Sequence, residues 1–340
     1  GGFYTAEDAD SDGEEGKYYT WTSEELQGVL SQPDFRFFST IFALKNTGTI
    51  SDEPLQQGTH RNILFQQRTF TESANLLQLS ENELHTKVRD ITIQLYQNRK
   101  KRKPPLKDDK ILSDWNGLMI AALAKAGIVF KEQTYVKIAE NTADFLNKKM
   151  MKKDGGILHR YRNGDIGIQG FADDYAFTIW GLLELYQATC NLEHLRTALA
   201  LNQYYINHFW DKEQKGFFFS ETTDSGVMKT KEWYDGATPC ANSVSTMNLL
   251  RLGRMTADTK LEQMANELLT TMSAKIDSAP TGYTYFLCGL DFAMGPSREI
   301  LIVGEQESVD TQKILAEILP MFLPNMVVLL LPPHADRLPY

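Results

Sequence analysis

The chain has 340 residues, a formal net charge of -9, 42% hydrophobic and 23% charged side chains, and three cysteines. That is the balance of a folded globular protein long enough to bury a large core, and its acidic excess argues against nucleic acid as a partner. Cys190, Cys240 and Cys288 form no C-x-x-C pair, which argues against a disulfide framework or zinc knuckle, and the longest apolar run, MVVLLL at 326–331, is far too short to span a bilayer.

The chain opens with GGFYTAEDADSDGEEGKYYTW, in which Glu7, Asp8, Asp10, Asp12, Glu14 and Glu15 crowd a glycine-flanked turn. Asp8-x-Asp10-x-Asp12-Gly13 matches the first half of a calcium loop, but the twelfth position, where a bidentate Glu is required, is Tyr19. A loop of solvated carboxylates is the plainer reading. TWTSEEL carries a capping box, Thr22 with Glu25, and starts a short helix to about Leu30. Residues 45–75 are polar and read as irregular. SENELHTKVRDITIQLYQNR (80–99) places Leu84, Val88, Ile91 and Leu95 on one helical face. It ends in the basic run QNRKKRKPP, where Lys and Arg complement the helix dipole and Pro104-Pro105 stops the helix.

Three helical pairs follow. SDWNGLMIAALAKAG (113–127) is apolar nearly all round and TYVKIAENTADFLNKKM (134–150) on one face only; the same contrast recurs at 171–189 with 193–210 and at 241–255 with 260–275. Alternating buried and amphipathic helices predict a two-layer α/α array. The connections repeat too: GGILHRYRNGD (155–165) and KGFFFSETTDSG (215–226) are Gly-led strand-like runs, and the opening GGFYT has the same shape. A glycine there is expected to end the outer helix in the left-handed conformation, and these runs are expected at the end where the buried helices begin. The tail reads as strand (298–304), helix (308–319) and strand (325–332).

That arrangement selects the chemistry. Asp114-Trp115-Asn116, Asp173-Asp174-Tyr175 and Asn242-Ser243 put acids and amides at the starts of the buried helices, where plain capping would also place them. Inner helices of an α/α barrel aim those ends into one cleft, and carboxylates beside aromatic rings are what glycosidic chemistry uses. KEWYDGATPCANS (231–243) adds Glu232, Trp233, Tyr234 and Asp235. His159 is the candidate proton carrier, lying in a repeat-equivalent connection, whereas His194 and His208 sit on an outer helix. The acid–base candidates are Asp8, Asp10, Asp114, Asp173, Asp174, Asp235 and His159; the ligand-binding candidates are Trp115, Asn116, Tyr175, Trp233 and Asn242. No cofactor and no metal are expected, the calcium loop being the third-ranked alternative.

GGFYTAEDADSDGEEGKYYTWTSEEL, LKDDKILSDWNGLMIAALAKAG, GFADDYAFTIWGLLELYQAT, FWDKEQKGFFFS and YDGATPCANSVSTMNLLRL, in order along the chain, resemble the spermatogenesis-associated protein 20 family. The resemblance implies a longer parent, with an N-terminal thioredoxin-like domain that this chain lacks and a six-hairpin, (α/α)6 region akin to glycosidases and sugar epimerases. The expected fold class is therefore all-α dominated, an (α/α)6 toroid incomplete on its N-terminal side, over residues 1–295, with an α/β appendage over 296–340. The expected function is a glycosidase-like domain, hydrolase or epimerase in type, taking a carbohydrate-like or other small polar ligand, with no nucleic acid and no membrane partner. The alternative is a non-catalytic interaction module of a redox-linked protein. A cytoplasmic setting and self-association through an exposed barrel edge complete the expectations.

Overall fold

The computed structural model describes residues 1–45, 60–221 and 229–333. The chain folds as two compact units, Ala6–Asp108 on one hand and Gly1–Thr5 with Asp109–Tyr340 on the other.

In the first unit β1 (Ala6–Glu7) is followed by a hairpin of β2 (Asp10–Ser11) and β3 (Glu14–Glu15). Asp12 and Gly13 form its turn, with φ of 56° and 78°, the left-handed pair that a two-residue hairpin demands. Asp10, Glu14 and Glu15 lie in the hairpin strands and Asp12 in its turn, and among the described residues no three of these carboxylates gather within 4.8 Å. Helices α1 (Ser23–Val29), α2 (Gln32–Ile41), α3 (Phe70–Leu77) and α4 (Glu81–Arg99) then close on a core that includes Trp21, Leu26, Phe38, Ile41, Leu84, Ile91 and Leu95. Strand β4 (Lys107–Asp108) returns to pair with β1. The Thr22–Glu25 box forms as read, and Thr69–Glu72 and Ser80–Glu83 form two more. The Thr69–Glu72 box lies in the stretch expected to be irregular, which is thereby corrected from Thr69 on, while residues 46–59 fall outside the described ones. Helix α2 is also an addition, started by Ser31 with Pro33 in the first turn.

The second unit is built of helical hairpins. Strand β5 (Ile111–Leu112) leads into α5 (Ser113–Phe130) and its outer partner α6 (Gln133–Lys149). A hairpin of β6 (Leu158–Arg162) and β7 (Asp165–Gln169) joins them to α7 (Ala172–Thr189) and α8 (Leu192–Phe209), and a longer connection leads to α9 (Ala241–Thr256) and α10 (Thr259–Ser278). Inner helices α5, α7 and α9 pack side by side in that order. Two glycines set the closest approach: a Cβ on Gly117 would meet the Phe177 carbonyl carbon at 2.5 Å, and one on Gly181 would meet the Gly117 oxygen at 2.5 Å. Helix α7 is buried on nearly every face, as an all-round apolar pattern requires.

The glycine expectation needs correction. Outer helices α6 and α8 end on Met150 in αR and Trp210 in extended conformation, and Gly155 and Gly216, at φ of 92° and 86°, turn the chain several residues later. The left-handed caps belong to the inner helices instead, on Lys131, Cys190 and Ala257.

Helix α11 (Thr284–Met294), unread in the sequence, packs on α9. The tail forms β8 (Arg298–Val303), α12 (Val309–Ile318) and β9 (Met326–Leu331), the strands parallel. Gln187 donates to the Val328 carbonyl at 2.8 Å, and Leu330 N–H donates to the Tyr186 hydroxyl at 3.1 Å, fixing β9 to α7. The fold is thus the helix-dominated α/α-hairpin class read from the sequence, with short β connections and a small α/β piece at the C-terminal end.

Candidate functional site

The three Gly-led runs meet the inner helices in one repeated way. The backbone N–H of Phe3 donates to the Asn116 side chain at 2.7 Å, that of Ile157 to the Tyr175 hydroxyl at 3.1 Å, and that of Phe217 to the Asn242 side chain at 2.8 Å. Each acceptor stands in the first turn of an inner helix. An otherwise orphaned strand N–H is thereby paired, and the runs are held at the end where α5, α7 and α9 begin.

Three of the ligand-binding candidates are thereby engaged within the fold. Asn116 also donates to the carbonyls of Phe3 and Leu112, and Asn242 to those of Phe217 and Glu232. Tyr175 is fully buried, its ring parallel to those of Tyr204 and Tyr205, so it offers no face to a ligand. Trp233 is half-buried, packed against Phe286 and Gly216. Trp115, at 46% exposed, is the candidate ring that remains open.

Four of the seven acid–base candidates come together at the starts of α5 and α7. Asp174 is completely buried; its oxygens accept from Phe171 N–H at 2.8 Å and Asp114 N–H at 3.0 Å, and they lie 3.0 and 3.1 Å from His159 Nδ1. One carboxylate therefore starts its own helix, ties the neighbouring helix to it and orients the imidazole. The His159 ring stands edge-on to Phe171, centroids 5.2 Å apart. Asp114, His159 and Asp174 are the one group of three such side chains, among the described residues, whose ligand atoms lie within 4.8 Å of one another.

The electrostatics follow from the packing. The Asp174 hydrogen bond raises the His159 pKa above its usual value, against burial, with the charges of Asp114 and Asp173 adding to the rise. Burial and the nearby Asp174 charge push Asp114 up to about 6. Asp173 goes further, to about 7, through burial first and then the charges of Glu232, Asp114 and Asp174. Its Oδ1 is buried without a hydrogen-bond partner. Two carboxyls poised near neutral pH beside an oriented imidazole can hold and pass protons.

The other three candidates lie elsewhere. Asp8 and Asp10 are exposed residues of the Ala6–Asp108 unit, Asp8 accepting from the Asp10 N–H at 3.1 Å. Asp235 is buried and fully engaged: one oxygen accepts from Cys240 N–H and Ser243 Oγ at 2.9 and 2.6 Å, the other from Tyr285 and Phe286 N–H at 2.8 and 3.4 Å. It ties the starts of α9 and α11 together, a structural duty that the sequence could not separate from catalysis because α11 was not read. The Asp174–His159 bond and the His159–Phe171 contact were also unread as pairs; the repeat placed both partners at one end but gave no pairing.

The described fold and cluster define a class: an α/α-hairpin protein with a carboxylate–histidine cluster at the N-terminal ends of its inner helices. Its nearer kinship is in sequence. The chain is 31% identical over 358 residues to human spermatogenesis-associated protein 20, covering 97% of this chain and 46% of that one, and the mouse protein of the same name is 31% identical over 359 residues. An uncharacterised Caenorhabditis elegans protein is 30% identical over 353 residues, covering 96% of this chain and 48% of its own. The resemblance read in the sequence is to this protein, and the chain spans about half the length of these curated relatives. No family model matches. Among solved structures, a GH76 α-mannanase of Bacteroides thetaiotaomicron superposes with a TM-score of 0.43 at 19% identity, over 51% of this chain and 48% of that one. Cellobiose 2-epimerase of Bacillus thermoamylovorans does so at 0.42 and 16%, over 49% and 45%. Likenesses of this degree carry no statement about activity.

Proposed function

We propose that the end of the unit where α5 and α7 begin is an acid–base site for a carbohydrate-like or similarly polar ligand. The observation that carries this reading is geometric: Asp114, His159 and Asp174 place their polar atoms within 4.8 Å of one another, Asp174 holds His159, and Asp173 keeps one buried oxygen without a partner, with burial and mutual repulsion raising Asp114 to about 6 and Asp173 to about 7. Asp173, substantially protonated at neutral pH, is the proton donor; Asp114, the more acidic of the two, is the acceptor. His159, held through Nδ1 by Asp174, carries a proton between them and the ligand, and Trp115 offers a ring for stacking. Asp8, Asp10 and Asp235 take no part.

The test is proton NMR in D2O of the protein with a panel of oligosaccharides and N-acetylated amino sugars, beside an Asp173→Asn variant. New reducing-end signals indicate hydrolysis; loss of the proton next to the carbonyl-derived carbon indicates epimerase-type abstraction. Either must disappear in the variant. Silence from both this chain and a full-length relative defeats the reading. The saturation of Asp174 and Asp235 by structural hydrogen bonds favours a second reading, a binding module without turnover, which predicts ligand-induced shifts at Trp115 with no product.

A further inference from the structure

Arg99, the first residue of the basic run at 99–103 that ends α4, lines a cavity in the Ala6–Asp108 unit. The cavity is about 570 Å3 and is walled by Tyr19, Trp21, Phe38, Phe42, Ile93 and Tyr96, with Arg99 at its margin. That size falls within the range of sites that take a single small molecule. Its apolar rim is open to solvent: Ile93 is 50% and Tyr96 46% exposed.

The charges around it are unequal. Glu25 alone serves two guanidinium groups, Arg61 at 3.0 Å and Arg102 at 3.1 Å. Arg102 is further occupied by the carbonyls of Lys17, Tyr18 and Thr20 and lies 4.0 Å from the centre of the Trp21 ring. Arg99 differs. Its guanidinium carbon stands 5.5, 5.1 and 5.6 Å from the ring centres of Tyr18, Tyr19 and Tyr96, and among the described residues no carboxylate pairs with it. The Tyr19 hydroxyl donates to Glu7. Aromatic faces hold a cation in place but leave its N–H donors unused. Arg99 supplies the remaining half of a recognition element: an apolar body fits the cavity and an acidic head pairs with the guanidinium.

We propose that this cavity binds a small amphipathic anion, an aromatic or aliphatic body bearing one carboxylate, whose head group pairs with Arg99. The two parts of the ligand answer two separate features of the wall, so they can be tested apart. Saturation-transfer NMR on the full chain, with 1-naphthoate and its neutral counterpart 1-naphthylmethanol, measures both. The carboxylate binds more tightly than the alcohol. Arg99→Met, which keeps the apolar stem, weakens the carboxylate by about ten- to a hundredfold, as expected for one charge-assisted hydrogen bond, and leaves the alcohol unchanged; Arg99→Lys recovers part of the loss. Ile93→Asp, at a half-exposed rim position, weakens both, while hydrogen exchange of α4 confirms that the variant stays folded. No transfer to either probe, or naphthoate binding unchanged by Arg99→Met and Ile93→Asp, overturns the proposal.

Discussion

Replacing Asp173 by Asn separates an acid–base site from an ordinary helix cap, because the two predict opposite signs. As a first-turn cap residue, Asp173 should stabilise α7 through its charge, and its amide variant should lose about 0.3–1 kcal/mol. The structure argues otherwise. The carboxyl is raised from 3.8 to about 7, with burial the leading cause and Glu232, Asp114 and Asp174 adding repulsion. A folded-state value above the unfolded one means that the native state holds the extra proton between pH 4 and 7, so stability falls as pH rises through that window. The gap of about three pH units, at ~1.4 kcal/mol each, sets a ceiling of about 4 kcal/mol on the cost of ionising Asp173 in place. Asp173→Asn removes that cost, so at pH 8 the variant is more stable than the parent by about 2–4 kcal/mol. Near pH 4 the two converge. Amide exchange in peptides of α7 is the suitable assay, since it reports opening of this unit and not of the other. A variant that is less stable at pH 8, or a parent whose α7 protection does not fall between pH 5 and 8, refutes the argument and returns Asp173 to the role of cap.

Three further outcomes are expected. Asp174→Asn, which removes the charge holding His159, lowers the His159 pKa measured by NMR titration; because the parent value is raised, the stability this pair contributes is present below the unfolded pKa and fades as pH climbs through the folded one. An unchanged titration curve counts against the pairing. Asp235→Ala leaves the buried N–H groups of Cys240 and Tyr285 without acceptors and costs about 3–5 kcal/mol, visible as loss of α9 and α11 protection; a loss under ~1 kcal/mol contradicts the strut role. Gly117→Ala drives a methyl group into the Phe177 backbone and costs about 1–3 kcal/mol, read as a lower melting temperature. A neutral result would show that α5 and α7 can part without penalty.

The sequence by itself determined the helical layout. The all-round apolar pattern at 171–189 is met by burial, whereas that at 113–127 is met only in part, its helix keeping Trp115, Val129 and Phe130 exposed; the α/α pairing nevertheless followed from period and polarity. The capping box at Thr22 and Glu25 was equally local and equally legible. Helices α2, α3 and α11 escaped because they are short, or sit in polar or Gly-rich surroundings, and draw stability from neighbours distant in sequence.

The same limit divides the candidate site. The recurrence of Asp, Asn and Ser at helix starts placed the right residues at the right end, but an acid at an N-terminus looks identical whether it caps, ties helices or exchanges protons. Only three-dimensional neighbours distinguish them: four donors meet Asp235, His159 and two backbone N–H groups meet Asp174, and Asp173 keeps one buried oxygen with no partner. Proton affinity depends on burial and on charges brought from other elements of the chain, which is why the tertiary structure, and not the spacing of residues, decided which carboxyls are poised near neutral pH.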